Sequence, residues 1–150
     1  MTSKQALTAA RQQFIAAINR DTTPTECPRF LAVLDAFIEW SLARPTLVKF
    51  NAEESHDGIV TFSRVSTKAR PVALWAATPR GREMPRMELL PRAARLLPDE
   101  ERAAVTTTLN AYSRDELAPG DPLRITFGAL KNRTARAAMF DCMDRLLVVT

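Results

Sequence analysis

The segment from residue 58 to residue 91 constrains the fold more than any other part of this chain. It contains three short runs rich in β-branched and aromatic residues, at positions 59–65, 72–77 and 86–90. Such a composition favours β-strands. The runs are separated by two short basic connections, and consecutive strands joined by short connections pair antiparallel. Asp57-Gly58 is a strong turn signal ahead of the first run. The segment therefore predicts an antiparallel meander.

The flanking sequence predicts helices that cover this meander. Apolar residues recur at three- and four-residue spacing over segments 3–19, 28–44, 98–112 and 132–147, which is the pattern of amphipathic helices. Ser3 is the expected N-cap of the first helix, and a short helical turn is expected over 91–97. Short strands are expected at 47–50 and 123–127. We therefore predict a single α+β domain over residues 1–150, in the order ααββββαβα, with one mostly antiparallel sheet of about five strands and helices packed on one face.

Charge is distributed unevenly along the chain. The net charge is +4, and arginine supplies seventeen of the 21 basic residues. This arginine excess is either functional or a consequence of coding composition. Residues 62–95 hold eight basic and two acidic groups, net +6, whereas residues 99–121 hold six acidic and two basic groups, net −4. The chain is therefore segregated by charge, and the two segments could pair between subunits as easily as within one.

The sequence gives no reason to expect a cofactor, a metal or a membrane partner. Cys27 and Cys142 are the only cysteines and have no metal-ligand spacing. No apolar run reaches the roughly 18 residues that a membrane span needs, and the N-terminus lacks the pattern of a signal peptide. We therefore expect a cytoplasmic location with both thiols reduced. No motif in the chain identifies a family.

The first candidate site is one face of the predicted sheet. If Phe62, Arg64, Trp75 and Arg124 share an uncovered face, aromatic rings lie among guanidinium groups there. Single-stranded nucleic acid binds such surfaces by stacking bases on rings and placing phosphates near cations. The alternative interpretation is that Phe62 and Trp75 are core residues, as large aromatic residues in strands usually are. The hairpin region would add further cations, at Lys68, Arg70, Arg80, Arg82 and Arg86.

The second candidate site is the start of the last helix. Lys131, Arg133 and Arg136 crowd this helix N-terminus, where cations oppose the helix dipole unless an anion lies between them. A phosphate, a nucleic-acid backbone or a carboxylate of a partner would supply that anion. The alternative is a solvated basic patch, capped by Asn132 or Thr134 and facing the acidic residues 99–101.

The loop at residues 53–57 contains the only histidine, His56, between Ser55 and Asp57. Consecutive side chains point apart and cannot form a catalytic triad, which is a spatial arrangement. Nothing in the loop fixes a set of metal ligands. An exposed polar turn is the favoured interpretation.

Three hypotheses of function follow. The leading one is a non-enzymatic binding domain that contacts nucleic acid through the basic hairpin region 62–95 and the basic helix start 131–136. The alternative is a protein-interaction or self-assembling module, in which the basic and acidic segments pair between subunits. The least favoured is an enzyme with carboxylate-only chemistry, which would require two buried carboxylates in one cleft.

Overall fold

A computed structural model describes residues 2–21, 24–65, 70–79, 85–112 and 123–148. Two long helices come first, α1 (Ser3–Asp21) and α2 (Cys27–Leu42). Four strands follow: β1 (Val48–Phe50), β2 (Val60–Arg64), β3 (Val72–Thr78) and β4 (Arg86–Leu89). The remaining elements are α3 (Pro91–Ala94), α4 (Asp99–Asn110), β5 (Leu123–Thr126), α5 (Phe127–Leu130) and α6 (Arg133–Val148).

The five strands form one antiparallel sheet in the order β1-β2-β3-β4-β5. Each strand pairs with its neighbour in sequence, although α3 and α4 lie in the connection between β4 and β5. The α+β class and the approximate order of elements that the sequence predicts are confirmed. The pairing of β2 with β3 contains one irregularity, because Phe62 pairs with Trp75 whereas the next residue, Ser63, pairs with Ala73.

Three details of the elements differ from the sequence prediction. The N-cap of α1 is Thr2 rather than Ser3: the Thr2 hydroxyl accepts from the Gln5 backbone N–H at 3.1 Å, and the Gln5 side chain accepts from the Thr2 N–H at 2.9 Å. This reciprocal pair is a capping box. Strand β5 ends at Thr126, because the Thr126 side chain caps the single turn α5. The turn after residue 90 is also shorter than expected and ends at Ala94.

Helices α1 and α2 are joined by an ion pair. Arg11 donates through Nε and Nη2 to the two carboxylate oxygens of Asp35, both at 2.8 Å. This two-point geometry is the strong form of an arginine–carboxylate contact. The hydrogen bond to Asp35 raises the pKa of Arg11 above its usual value.

The core between sheet and helices is built around aromatic rings. The rings of Phe62 and Trp75 stack with centroids 5.0 Å apart, and Phe37 of α2 meets Trp75 edge to face at 5.6 Å. The indole Nε1 of Trp75 donates to the buried hydroxyl of Ser41 at 2.9 Å, and that hydroxyl donates to the Phe37 carbonyl at 2.9 Å. The one polar group of the Trp75 ring is therefore satisfied inside the core.

The turn at residues 57 and 58 is confirmed. Asp57 and Gly58 both have positive φ, 57° and 85°, as the sequence signal predicts for a turn ahead of a strand. In the described part of the chain, no helix combines the length and the apolar character that crossing a membrane would require.

Candidate anion-binding site

The aromatic pair proposed as a stacking platform lies in the core. Phe62 and Trp75 both have 0% exposure. Phe37 covers Trp75 from the helix layer, so neither ring is available to stack on a base. The structure confirms the alternative interpretation, in which both rings are core residues. Large rings on this face are buried because α1 and α2 have large apolar faces that must be covered as well.

Arg124 lies on the opposite face of the sheet from Trp75. Arg124 pairs with Glu88 in the sheet register, Glu88 pairs with Ala76, and successive residues of a strand point to opposite faces. The four residues of the first candidate site therefore do not share a face. Arg124 Nε lies 3.4 Å from a carboxylate oxygen of Glu88, so part of its charge is compensated. Arg86 lies on the same face, opposite Thr126.

Two of the other cations of the hairpin region lie within the described residues. Arg64 at the end of β2 is half-buried, and Arg70 is exposed just before β3. Lys68, Arg80 and Arg82 lie outside the described residues. The contribution of this region to binding stays a prediction.

The basic start of α6 forms a shallow depression with the start of α2. Arg29, Lys131 and Arg136 line a hollow of about 400 Å³, floored by Ala32 and Val33. The neighbouring Arg133 is exposed and lies one turn from Arg136, and residues three apart share one side of a helix. The structure thus brings Lys131 and Arg136 together with Arg29, which the sequence analysis does not select.

One carboxylate faces these cations. Glu26 Oε2 lies 3.0 Å from Lys131 Nζ, and Glu26 Oε1 lies 3.5 Å from an Nη of Arg29. The alternative interpretation of this patch has it face the acidic residues 99–101, whereas the carboxylate beside Lys131 is that of Glu26. Four cations against one carboxylate give this cluster a local charge of +3. We refer to Glu26, Arg29, Lys131, Arg133 and Arg136 as the α2–α6 cluster.

Hydrogen bonds within the protein explain how the start of α6 accommodates positive charges. The Asn132 side chain accepts from the backbone N–H groups of Thr134 and Ala135, at 2.9 and 3.3 Å, which confirms Asn132 as the N-cap. Arg136 donates to the carbonyls of Leu130 and Lys131, both at 3.4 Å. These long contacts place Arg136 beside the negative end of the α5 turn. They offset part of the opposition between its charge and the α6 dipole.

Hydrogen bonds to neighbouring residues hold the loop that contains His56 in place. The Ser55 hydroxyl donates to the Asn51 carbonyl at 2.6 Å and accepts from the Thr61 N–H at 2.8 Å. His56 and Asp57 are both exposed, with 3.3 Å between His56 Nδ1 and a carboxylate oxygen of Asp57. Asn51 also donates to the Ser63 hydroxyl at 3.0 Å. The loop therefore covers β2 on the face that carries Arg124.

The described residues do not provide the buried carboxylates that carboxylate-only catalysis would require. The buried polar side chains among them are Ser41, Thr61, Ser63 and Thr106, so this part of the chain holds no buried pair of carboxylates. It also holds no group of three or more metal-binding side chains. Cys27 and Cys142 are buried and unbridged, and burial raises the pKa of the Cys142 thiol to about 12. A buried thiol with a raised pKa is a poor nucleophile.

No protein-family model, curated protein or solved structure matches the chain. The site must therefore be judged on its geometry. Glu26 and Arg29 were missed by sequence reasoning because 105 residues separate Glu26 from Lys131. The order of elements carries no signal that joins the start of α2 to the start of α6.

Proposed function

We propose that this protein is a non-enzymatic binding domain that contacts the phosphate backbone of nucleic acid through the α2–α6 cluster and the basic hairpin region 62–95. The observation that carries the proposal is the depression of about 400 Å³ lined by Arg29, Lys131 and Arg136. Arginine and lysine side chains are the groups that bind phosphate oxygens in proteins. The exposure of Arg29, whose side chain is 61% accessible, leaves its guanidinium reachable by a backbone phosphate.

The mode of binding differs from the one expected from sequence alone. Because Phe62 and Trp75 are buried, stacking of bases on these rings does not contribute. Phosphate contacts alone carry no sequence information. A duplex, which has a higher density of phosphates than a single strand, is then expected to bind at least as tightly as a single strand of equal length.

The test compares two double variants with the same loss of charge. The test pair is Arg29→Gln with Arg133→Gln, both in the α2–α6 cluster. The control pair is Lys4→Gln with Arg145→Gln, which are exposed elsewhere. Twelve residues of α6 separate Arg145 from Arg133, about 18 Å along the helix. Lys4 lies beside Leu42, at the end of α2 opposite Arg29.

The measured quantity is the anisotropy of a fluorescein-labelled 20-base-pair duplex, titrated with protein from 50 to 200 mM salt. Each lost phosphate contact reduces the slope of log K against log salt by about 0.9. The test pair should therefore flatten the slope by about 1.8. When the salt rises from 50 to 200 mM, the factor by which the test pair loses affinity should be about twelve times smaller than the factor for the wild type. The control pair should leave the slope unchanged.

A third variant tests the hairpin region. Replacing Arg80, Arg82 and Arg86 with glutamine should also flatten the slope. If neither this triple variant nor the test pair differs from the control pair, the proposed function is wrong. If only one of them changes the slope, the contact belongs to that region and the assignment of the other is wrong.

A further inference from the structure

A second surface lies at the opposite end of α2 from the α2–α6 cluster. A cleft of about 410 Å³ runs between the start of α1, the end of α2 and the strand β1. Its lining includes Leu7, Leu42, Val48 and Phe50, together with Lys4 and Lys49. The volume falls within the range of roughly 300–1,000 Å³ that is usual for ligand sites.

Exposed apolar side chains occur in this cleft and next to it in the sequence. Leu42, which lines the cleft, is 57% exposed, and Leu47, which directly precedes β1, is 43% exposed. They are two of the three exposed large hydrophobic residues in the described parts of the chain, and the third, Val148, is the last residue of α6. Apolar side chains that gather at one place on a surface, beside a cleft, mark a site of interaction with another molecule.

The strand that borders the cleft is the edge of the sheet. Among the strands that the structure describes, β1 pairs with β2 alone. The Asn51 N–H donates to the Thr61 carbonyl, and the Leu47 carbonyl accepts from the Val65 N–H, both at 2.9 Å. Because hydrogen-bonded and non-hydrogen-bonded positions alternate in an antiparallel pair, the main-chain groups of Phe50 face away from β2. They are placed to pair with a further strand.

We propose that the β1 edge and its cleft bind an extended peptide segment of a partner protein, in which apolar side chains alternate with carboxylates. The peptide adds a strand beside Phe50 and inserts apolar side chains into the cleft, the mode known as β-augmentation. The charges support an acidic partner. Lys4 and Lys49 both line the cleft, and none of the described residues that line it carries a negative charge.

The same features disfavour a second copy of this chain as the occupant. Lys49 is the central residue of the three-residue strand β1. Antiparallel pairing of all three residues of β1 with a second β1 places the two-fold axis at Lys49 and would bring its two copies together, and like charges in opposed strands are destabilising.

The test uses defined peptides. The first probe is a fluorescein-labelled heptapeptide of sequence EVDLDVE, and the matched probe, KVKLKVK, replaces every carboxylate with lysine. Fluorescence polarisation should show that the acidic probe binds and that the basic probe binds at least tenfold more weakly. An acidic probe with N-methylated amides at alternate positions should also bind at least tenfold more weakly, because it cannot donate main-chain hydrogen bonds to β1.

Variants of the protein locate the site. Leu42→Asp places a carboxylate at the cleft and should weaken binding of the acidic probe at least tenfold. Val148→Asp introduces a carboxylate at another exposed apolar residue, which lies outside the cleft, and should have no effect. The double variant Lys4→Glu with Lys49→Glu should reverse the preference between the acidic and basic probes.

Three outcomes would overturn the proposal. The acidic probe could fail to bind at 1 mM, it could bind equally well to the Leu42→Asp and wild-type proteins, or both probes could bind equally. Sedimentation equilibrium of the unliganded protein adds a separate check. A dimer that Leu42→Asp dissociates and Val148→Asp does not would show that a second copy, rather than a peptide, occupies the cleft.

Discussion

Replacing Ser41 with alanine should destabilise the protein by leaving the indole N–H of Trp75 without an acceptor. Trp75 and Ser41 are fully buried, and their side chains are joined at 2.9 Å. Water cannot replace the lost acceptor in a packed core. A buried donor left unpaired costs about 1–3 kcal/mol, which is a large share of the 5–15 kcal/mol that stabilises a typical domain. Ser41→Ala also removes the hydrogen bond from the Ser41 hydroxyl to the Phe37 carbonyl. Because that carbonyl belongs to a helix, this loss should add little to the cost in stability.

A double-mutant cycle separates the cost of the unpaired indole N–H from the cost of lost packing. Trp75→Phe removes the indole N–H, so Ser41→Ala in that background leaves no unpaired donor. We expect Ser41→Ala to cost about 1–2 kcal/mol less in the Trp75→Phe background than in the wild type. Urea unfolding followed by far-ultraviolet circular dichroism measures all four proteins without depending on tryptophan emission. Equal costs in both backgrounds, within about 0.5 kcal/mol, would refute the reasoning.

Three further predictions follow from the core and the turn. Because Trp75 and Trp40 are buried, saturating oligonucleotide should leave tryptophan emission unchanged, and quenching upon binding would contradict the account. Gly58→Ala should lower the free energy of unfolding in urea by at least about 1 kcal/mol, because Gly58 has φ of 85° and a Cβ there would lie 3.1 Å from Pro79 Cγ. An unchanged urea midpoint would contradict this prediction. Burial raises the pKa of Cys142 to about 12 from 9.0, so its stabilising contribution is present below about pH 9 and is lost as the pH rises from there towards 12. The wild type should therefore lose more stability than Cys142→Ala between pH 8 and pH 10, and equal losses would count against this assignment.

The sequence predicts the fold well where the signals are local. Alternating β-branched and aromatic residues place the strands within one or two residues, and Asp57-Gly58 places the turn before β2. Periodic apolar residues place the long helices. The single turn α5 was missed because its four residues are too few to show a period, and its start depends on the Thr126 cap.

The sequence predicts the candidate site less well, because alternation divides a strand into two faces without showing which one is covered. Phe62 and Trp75 are covered by Phe37, which is distant in the chain. The irregular pairing of Phe62 and Ser63 with β3 also depends on packing rather than on alternation. The basic start of α6 was identified, since its charges are adjacent in sequence. Its partner Glu26 was not, because the contact is formed only in the folded chain.

The salt dependence of duplex binding by the wild-type protein tests the central claim most directly. Four cations of the α2–α6 cluster that each contact a phosphate would give a slope of log K against log salt of about −3.6, and cations of the hairpin region would make the slope steeper. We predict measurable binding at 50 mM salt with a slope of about −3 or steeper. The absence of binding at 50 mM salt, or a slope near zero, would contradict the proposal that this domain binds nucleic acid through its phosphates.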